Sequence, residues 1–400
     1  MSILFLSRLI PESIKEITYK SNKKGMPEAA IALQNKILRG IKEASAEEIS
    51  MINVVPISSY PHNSALKSIP SLVENYQKIG NMYNVGFDNR TGIRSRSILS
   101  GLKQALEGIN DVRKVIVYTG APFFLDIIKY LKRRHAGCEV ILVLPDLPEY
   151  SNLKSSLTIK EKVYSYLSKK KFDKAKLFVD AMVLLTEQTA AYLHWEKPYV
   201  VVEGIAETVK NEDESEVKKT TDSAIKIVYT GTTHRQFGLP DLVAAYELLN
   251  NDKTELIICG YGDYDSILEE KSKTNPGIKF LGIVPHDEAK RLQEQASILV
   301  NPRKNEGEYT KYSFPSKTME YLVTGHPVIA YKLDGIPDEY DPYILYAEGG
   351  VKGLAKRLSE VASWSETDRS EFGKRAQTFV RTNKNERIQA MKILSLFHDA

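Results

Sequence analysis

The chain has 400 residues, 42% hydrophobic and 26% charged, with a formal net charge of +4. This length is too great for one hydrophobic core and points to two domains of similar size. The composition is that of a soluble protein, and charge spread along the chain argues against a dedicated nucleic-acid binder. No apolar run is long enough to cross a bilayer.

Residues 1–13 (MSILFLSRLIPES) are too short and broken for a secretory signal and read as a first strand. Cys138 and Cys259 lack metal-ligand spacing and offer no disulfide framework, which fits a reducing cytoplasm. The histidines form no HExxH-type pair, and no metal is expected.

In the first half, Ile3–Leu6, Met51–Val55, Lys114–Tyr118, Glu139–Leu144, Met182–Leu185 and Tyr199–Val202 read as strands. Glu28–Ile41 and Phe124–Arg134 read as helices between them. Continuous apolar strands alternating with helices predict parallel sheets covered on both faces. Gly25 and Met26 precede the helix at Glu28 and fall after the first strand, which places them at the ligand-binding edge. Asp146, in Pro145-Asp146-Leu147-Pro148, is the acidic candidate after the strand ending at Leu144; its alternative is a plain turn residue. Glu203-Gly204 closes the last strand of this half.

The helical stretch Lys160–Lys176 interleaves many lysines with Val163, Tyr164, Tyr166, Leu167 and Phe172. With Lys132-Arg133-Arg134 it is a candidate for peripheral contact with an anionic membrane face, the plainer alternative being a solvated helix surface.

Residues 207–223 (ETVKNEDESEVKKTTDS) have no periodicity and read as a linker. The expected division is residues 1–206, the linker, and residues 224–384, with a final helix from about Asn385 returning to the first domain. The strand–helix pattern restarts at Lys226–Thr230, Glu255–Cys259, Ile278–Phe280, Ser297–Val300 and Pro327–Ala330. The fold class is α/β: two doubly wound, Rossmann-like domains facing each other across a cleft.

Two glycine turns follow strands of the second half. The first holds Gly231, Thr232 and Arg235 and leads through Gly238 into the helix Pro240–Leu249. The second is Gly260-Tyr261-Gly262. Such turns bring backbone N–H groups close to a diphosphate, although many only connect strand to helix.

The segment Asn301–Ala330 is the most informative. Pro315 fits the first helical position, the helix runs from Ser316 to Val323, and Gly325 stops it. Lys317 then lies in the first turn, where a cation is unfavourable, and converges with free N–H groups to make a phosphate site. Glu320, on the same face, is suited to ribose hydroxyls. The competing reading is an ordinary i,i+3 surface pair.

Asn301-Pro302-Arg303, Ser313-Phe314-Pro315-Ser316-Lys317, Glu320-Tyr321-Leu322 and Gly325-His326-Pro327-Val328-Ile329-Ala330 together resemble the family-4 glycosyltransferases. These are retaining, nucleotide-sugar-dependent enzymes of GT-B fold, and this version resembles those of bacterial capsule, exopolysaccharide or O-antigen assembly. The resemblance implies that Glu320 contacts ribose as the second glutamate of the family's E-x7-E motif. Tyr312 stands where the first glutamate is expected, so backbone groups around Ser313 and Phe314 are expected to meet the donor sugar. Thr232 and Phe237 stand where many members carry an arginine and a lysine; Arg235, Arg303 and Lys317 are the substitute cations.

The expected activity is metal-independent glycosyl transfer from a nucleoside diphosphate sugar, UDP-sugar first, to a glycan or lipid-linked oligosaccharide, with no separate cofactor. Lys317, Arg235 and Asp146 are the catalytic candidates, and Gly25, Met26, Asp146 and Glu203 line the acceptor side. A nucleotide-sugar 2-epimerase and a non-catalytic accessory subunit are the alternatives. The expected location is cytoplasmic, at or near the inner membrane face.

Overall fold

The structure, a computed structural model, describes residues 2–23, 25–109, 111–135, 137–148, 158–207 and 224–398. Lys24, nearly all of the expected linker (208–223), and the Lys160 side chain lie outside the described residues. The chain divides into two units, Met1–Ile205 with Glu386–Ala400, and Ala206–Asn385.

Unit 1 contains β1 (Ser2–Ser7), α1 (Lys15–Ser21), α2 (Glu28–Ala44), β2 (Glu48–Asn53), β3 (Ser68–Ile69), β4 (Leu72–Tyr76), β5 (Gly80–Asn84) and β6 (Phe87–Asp88). It continues with α3 (Arg94–Glu107), β7 (Lys114–Tyr118), α4 (Pro122–Arg134), β8 (Glu139–Leu144), α5 (Ile159–Ala175), β9 (Ala181–Leu184), α6 (Glu187–Tyr192) and β10 (Tyr199–Val201). Eight strands form a sheet in the order β10-β9-β8-β7-β1-β2-β5-β4, parallel except where β4 meets β5. The apolar strands Lys114–Tyr118 and Ala181–Leu184 are buried along their whole length, as strands covered on both faces must be.

Unit 2 contains β11 (Ile225–Thr230), α7 (Leu239–Leu249), β12 (Thr254–Cys259), α8 (Asp265–Thr274), β13 (Ile278–Phe280), α9 (His286–Glu294), β14 (Ile298–Asn301), α10 (Ser316–Thr324), β15 (Val328–Ala330), β16 (Leu345–Tyr346), α11 (Gly350–Ser363) and α12 (Glu366–Asn383). Its six strands, β13-β12-β11-β14-β15-β16, are all parallel. The chain leaves β11 toward β12 on one side and returns to β14 on the other, so strand order reverses between β11 and β14. Unit 1 reverses in the same way between β1 and β7. Open α/β sheets bind ligands at such points, beyond the carboxyl ends of the strands.

The last helix, α13 (Glu386–Leu394), packs along α2. A Cβ at Gly40 would lie 2.1 Å from the Glu386 carbonyl oxygen, so only glycine allows this approach. Arg39 ion-pairs Glu386 there at 2.6 Å.

Several expected boundaries move. The second strand is Glu48–Asn53 rather than Met51–Val55, and the fourth strand of unit 2 ends on Asn301 rather than Val300. The β4–β5 hairpin went unread because its alternating polar residues offer no apolar run.

Candidate functional site

The carboxyl end of β11 is where unit 2 brings the candidate residues together. Thr230 ends that strand, and the buried Tyr321 hydroxyl of α10 accepts its N–H at 2.9 Å and donates to its carbonyl at 3.1 Å. Gln293 of α9 donates to the Thr230 hydroxyl at 2.7 Å, and Asn301 donates to Thr318 of α10 at 3.1 Å. These bonds pin the start of α10 beside the first glycine turn. A Cβ at Gly231 would lie 3.5 Å from Lys317 Cε.

Pro315 is the residue before α10, in extended conformation, and not its first helical residue as expected. The pyrrolidine ring's fixed φ suits either place, and the helix begins at Ser316. No side chain caps this helix start, so its first N–H groups keep the positive end of the dipole uncovered. Lys317 Nζ lies 2.5 Å from Glu320 Oε2, so the two do form an i,i+3 pair. Both remain about a third exposed, where such a pair is worth at most about 1 kcal/mol and yields readily to a better partner.

The two glycine turns serve each other as much as any ligand. A Cβ at Gly260 would fall 1.6 Å from the Gly231 carbonyl oxygen, and one at Gly262 would fall 2.3 Å from the Thr233 carbonyl carbon. Gly231 N–H donates to Cys259 and Thr233 N–H to Tyr261, both at 2.9 Å. Asp265 accepts from the Thr233 hydroxyl and from Gly262 N–H, completing the lock. The glycines at 260 and 262 are therefore required for loop-on-loop packing. Tyr261 between them is largely exposed. The thiol of Cys259 is pushed up to about 11 by burial against the opposing Lys317 charge, and stays protonated.

Gly238 has φ 84° and a Cβ there would meet the Pro302 carbonyl oxygen at 1.8 Å. This contact brings the turn before α7 against the loop after β14. Phe237, standing where a lysine was expected, stacks on the Arg303 guanidinium at 5.7 Å, with Tyr309 on it at 5.1 Å. Arg303 donates to the Ser313 hydroxyl at 3.2 Å, while its buried Nε has no partner. Burial pushes its guanidinium below the usual range.

Arg235 is exposed and stacks on Tyr264 at 4.8 Å. The Thr232 carbonyl accepts from Tyr229 at 2.7 Å. Phe314 is 6% exposed and packs on Tyr340. Ser316 is exposed at the helix start.

In unit 1 the helix α1 lies between β1 and Gly25. Gly25 has φ 74° and accepts from Asn22, and Met26 packs partly against the core. Asp146 is solvent-accessible yet closely surrounded, and desolvation pushes its carboxyl up. Glu203 is 4% exposed. A concavity lined by Ser2, Glu48 and Arg113 opens at the amino ends of the strands. On α5, Val163, Tyr164, Tyr166 and Leu167 are exposed, while Phe172 is buried. Among the described residues no helix is long and apolar enough to cross a membrane.

Residues 224–363 match the family model described as glycosyl transferases group 1. Over 140 residues the chain is 28% identical to the amylovoran biosynthesis glycosyltransferase AmsK of Erwinia amylovora, which is 34% of this chain and 34% of that protein. The chain thus spans about a third of that relative's length. Among solved structures it is similar to sucrose-phosphate synthase of Thermosynechococcus elongatus, with TM-score 0.66 and 13% identity over 100% of this chain and 99% of the other. It is also similar to Anabaena HepE in complex with UDP, with TM-score 0.62 and 13% identity over 100% of both chains. The fold of the whole chain is therefore α/β with two Rossmann-like units, as in GT-B glycosyltransferases, and residues 224–363 of unit 2 form a segment similar to the group 1 glycosyl transferases.

Proposed function

We propose that this chain is a glycosyltransferase that moves a sugar from a nucleoside diphosphate sugar to a hydroxyl of a glycan or lipid-linked acceptor, with retention at the anomeric carbon. The observation that carries the reading is the placement of Lys317 at an uncapped helix start against Gly231, at the strand-order reversal of unit 2. An approaching diphosphate meets a cation, the helix N–H groups and the backbone of the first glycine turn together. Glu320 then exchanges its ion pair with Lys317 for the ribose hydroxyls. Arg303, stacked and with an unpartnered Nε, supplies a second cation. The UDP of the similar HepE structure supports uridine as the base, and the amylovoran relative supports surface-polysaccharide synthesis.

In the reaction the bond between the anomeric carbon and the diphosphate oxygen breaks, and its electron pair leaves with the diphosphate. The acceptor oxygen bonds to the same face of that carbon, and its proton passes to the departing phosphate oxygen. Lys317 and the helix dipole hold the charge that develops, so neither metal nor protein nucleophile enters the reading. Asp146 and the unit 1 edge take the acceptor side, and the exposed apolar residues of α5 rest on the cytoplasmic membrane face.

Lys317→Ala tests the reading. It is expected to keep the fold and lose UDP affinity and transfer from a UDP-sugar. Unchanged turnover would sink the phosphate assignment.

A further inference from the structure

In unit 2 the start of α7 and the loop after β14 run along a shared seam. Phe237 lies on the Arg303 guanidinium at 5.7 Å. A Cβ at Gly238 would meet the Pro302 carbonyl oxygen at 1.8 Å, so the two backbones touch. Asp241, in the first turn of α7, pairs through Oδ1 with the Lys304 ammonium at 3.0 Å. Its Oδ2 accepts from the hydroxyl of Tyr331, the residue after β15, at 3.2 Å.

An acidic residue in the first turn of a helix ordinarily faces the free N–H groups there and gains from the dipole. Both oxygens of Asp241 go instead to a neighbouring loop and a neighbouring strand end, although the residue is only 8% exposed. A carboxylate so buried is costly unless it is paired. Lys304 supplies the pair, and hydrogen bonding to Asp241 holds its ammonium above the usual lysine value. Without Asp241, Lys304 has Glu306 at 3.7 Å, a largely exposed carboxylate of its own loop that ties it to nothing else.

Arg303, the preceding residue, is held more loosely. It donates to the Ser313 hydroxyl at 3.2 Å, its buried Nε has no partner, and Phe237 and Tyr309 grip it through their rings. Such ring contacts are worth about 0.5–2 kcal/mol each, too little to keep an arginine in place against a loop that shifts.

We propose that Asp241 is a positioning residue of the donor site: by anchoring Lys304 it keeps the neighbouring Arg303 in its ring clasp, where the guanidinium meets the donor diphosphate. The inference rests on the reading of unit 2 as a nucleoside diphosphate site. Asp241 acts through Lys304 and Arg303 rather than on the ligand, and Lys304 is the tether rather than a phosphate ligand.

Calorimetry of the full-length protein with UDP tests it. Asp241→Asn keeps the size of the side chain and removes its charge, and is expected to weaken UDP binding about threefold or more. Lys304→Met is expected to reproduce that loss, and the double variant to bind no worse than either single one. In an Arg303→Gln background, which itself binds UDP more weakly, Asp241→Asn is expected to cost nothing further, a result that a merely structural role would not give. Thermal melts verify that each variant is folded. If Asp241→Asn does not fold, Lys304→Met with and without Arg303→Gln carries the same test from the more exposed side of the pair.

Were Lys304 itself the phosphate ligand, Asp241→Asn would release it and strengthen UDP binding, and that sign overturns the proposal. A loss that persists undiminished in the Arg303→Gln background overturns it too. UDP binding that falls in Lys317→Ala but ignores both Asp241→Asn and Lys304→Met overturns this proposal alone, whereas a wild type that binds no UDP overturns the donor reading and this proposal with it.

Discussion

The hydroxyl of Tyr321 closes both backbone groups of Thr230, although the two residues stand 91 positions apart. This pair decides where the start of α10 lies, and so where Lys317 meets the first glycine turn. Removing the hydroxyl leaves a buried N–H and carbonyl unsatisfied. Tyr321→Phe is expected to cost about 1–3 kcal/mol, visible in chemical denaturation, and to weaken UDP binding more than a core substitution of equal cost such as Val361→Ala.

The ion pair of Lys317 with Glu320 gives opposite signs for two probes. Glu320→Ala is expected to weaken UDP by about tenfold to a hundredfold, the loss of one charged hydrogen-bonding group. Pyrophosphate binding at unit 2 is expected to hold or strengthen, because Lys317 is released. Lys317→Ala is expected to weaken UDP and pyrophosphate alike at that site. Equal losses of both probes in the two variants would contradict the division of roles between ribose and phosphate.

Gly231 and Gly260 are both at φ values that other residues avoid, 147° and 145°, yet they answer different questions. At Gly260 a Cβ collides with the backbone of the first turn, whereas at Gly231 it only touches Lys317 and Tyr229. Gly260→Ala is therefore expected to cost well above the roughly 1–3 kcal/mol of backbone strain alone and to unfold unit 2 early in a thermal scan. Gly231→Ala is expected to cost about that strain, stay folded, and lose UDP affinity by crowding Lys317.

His326 supplies a pH test. Burial holds its imidazole below the usual value of 6.5, while Nε2 hydrogen-bonds the Glu294 carbonyl at 2.8 Å. Below pH 6.5 the unfolded chain takes up the proton before the folded chain does, so stability falls as the solution is acidified through that value. Denaturation midpoints at pH 7.5 and 5.5 should differ by less in His326→Gln than in the wild type. A larger difference in the variant would contradict the direction of the shift.

Composition and pattern alone carried much of this molecule. Runs such as Lys114–Tyr118 and Glu139–Leu144 sit at the strand boundaries read from them, because strands covered on both faces are largely apolar. The hairpin of β4 and β5 left no such trace, since its residues alternate between buried and exposed and form no continuous apolar run. The order of strands, the pairing of Tyr321 with Thr230, and the use of Gly260 and Gly262 to seat one loop on another are long-range facts. No local spacing records them.

The same holds for the cations. Sequence marked Lys317 through its place at a helix start, but Arg303 came into position only because Phe237 and Tyr309 clasp it. Arg8 and Arg94 are 86 residues apart on different elements, and each alone reads as an ordinary solvated arginine. Only the tertiary structure buries the Nε atom of each without a hydrogen-bond partner, because burial and pairing are properties of neighbours in space rather than along the chain.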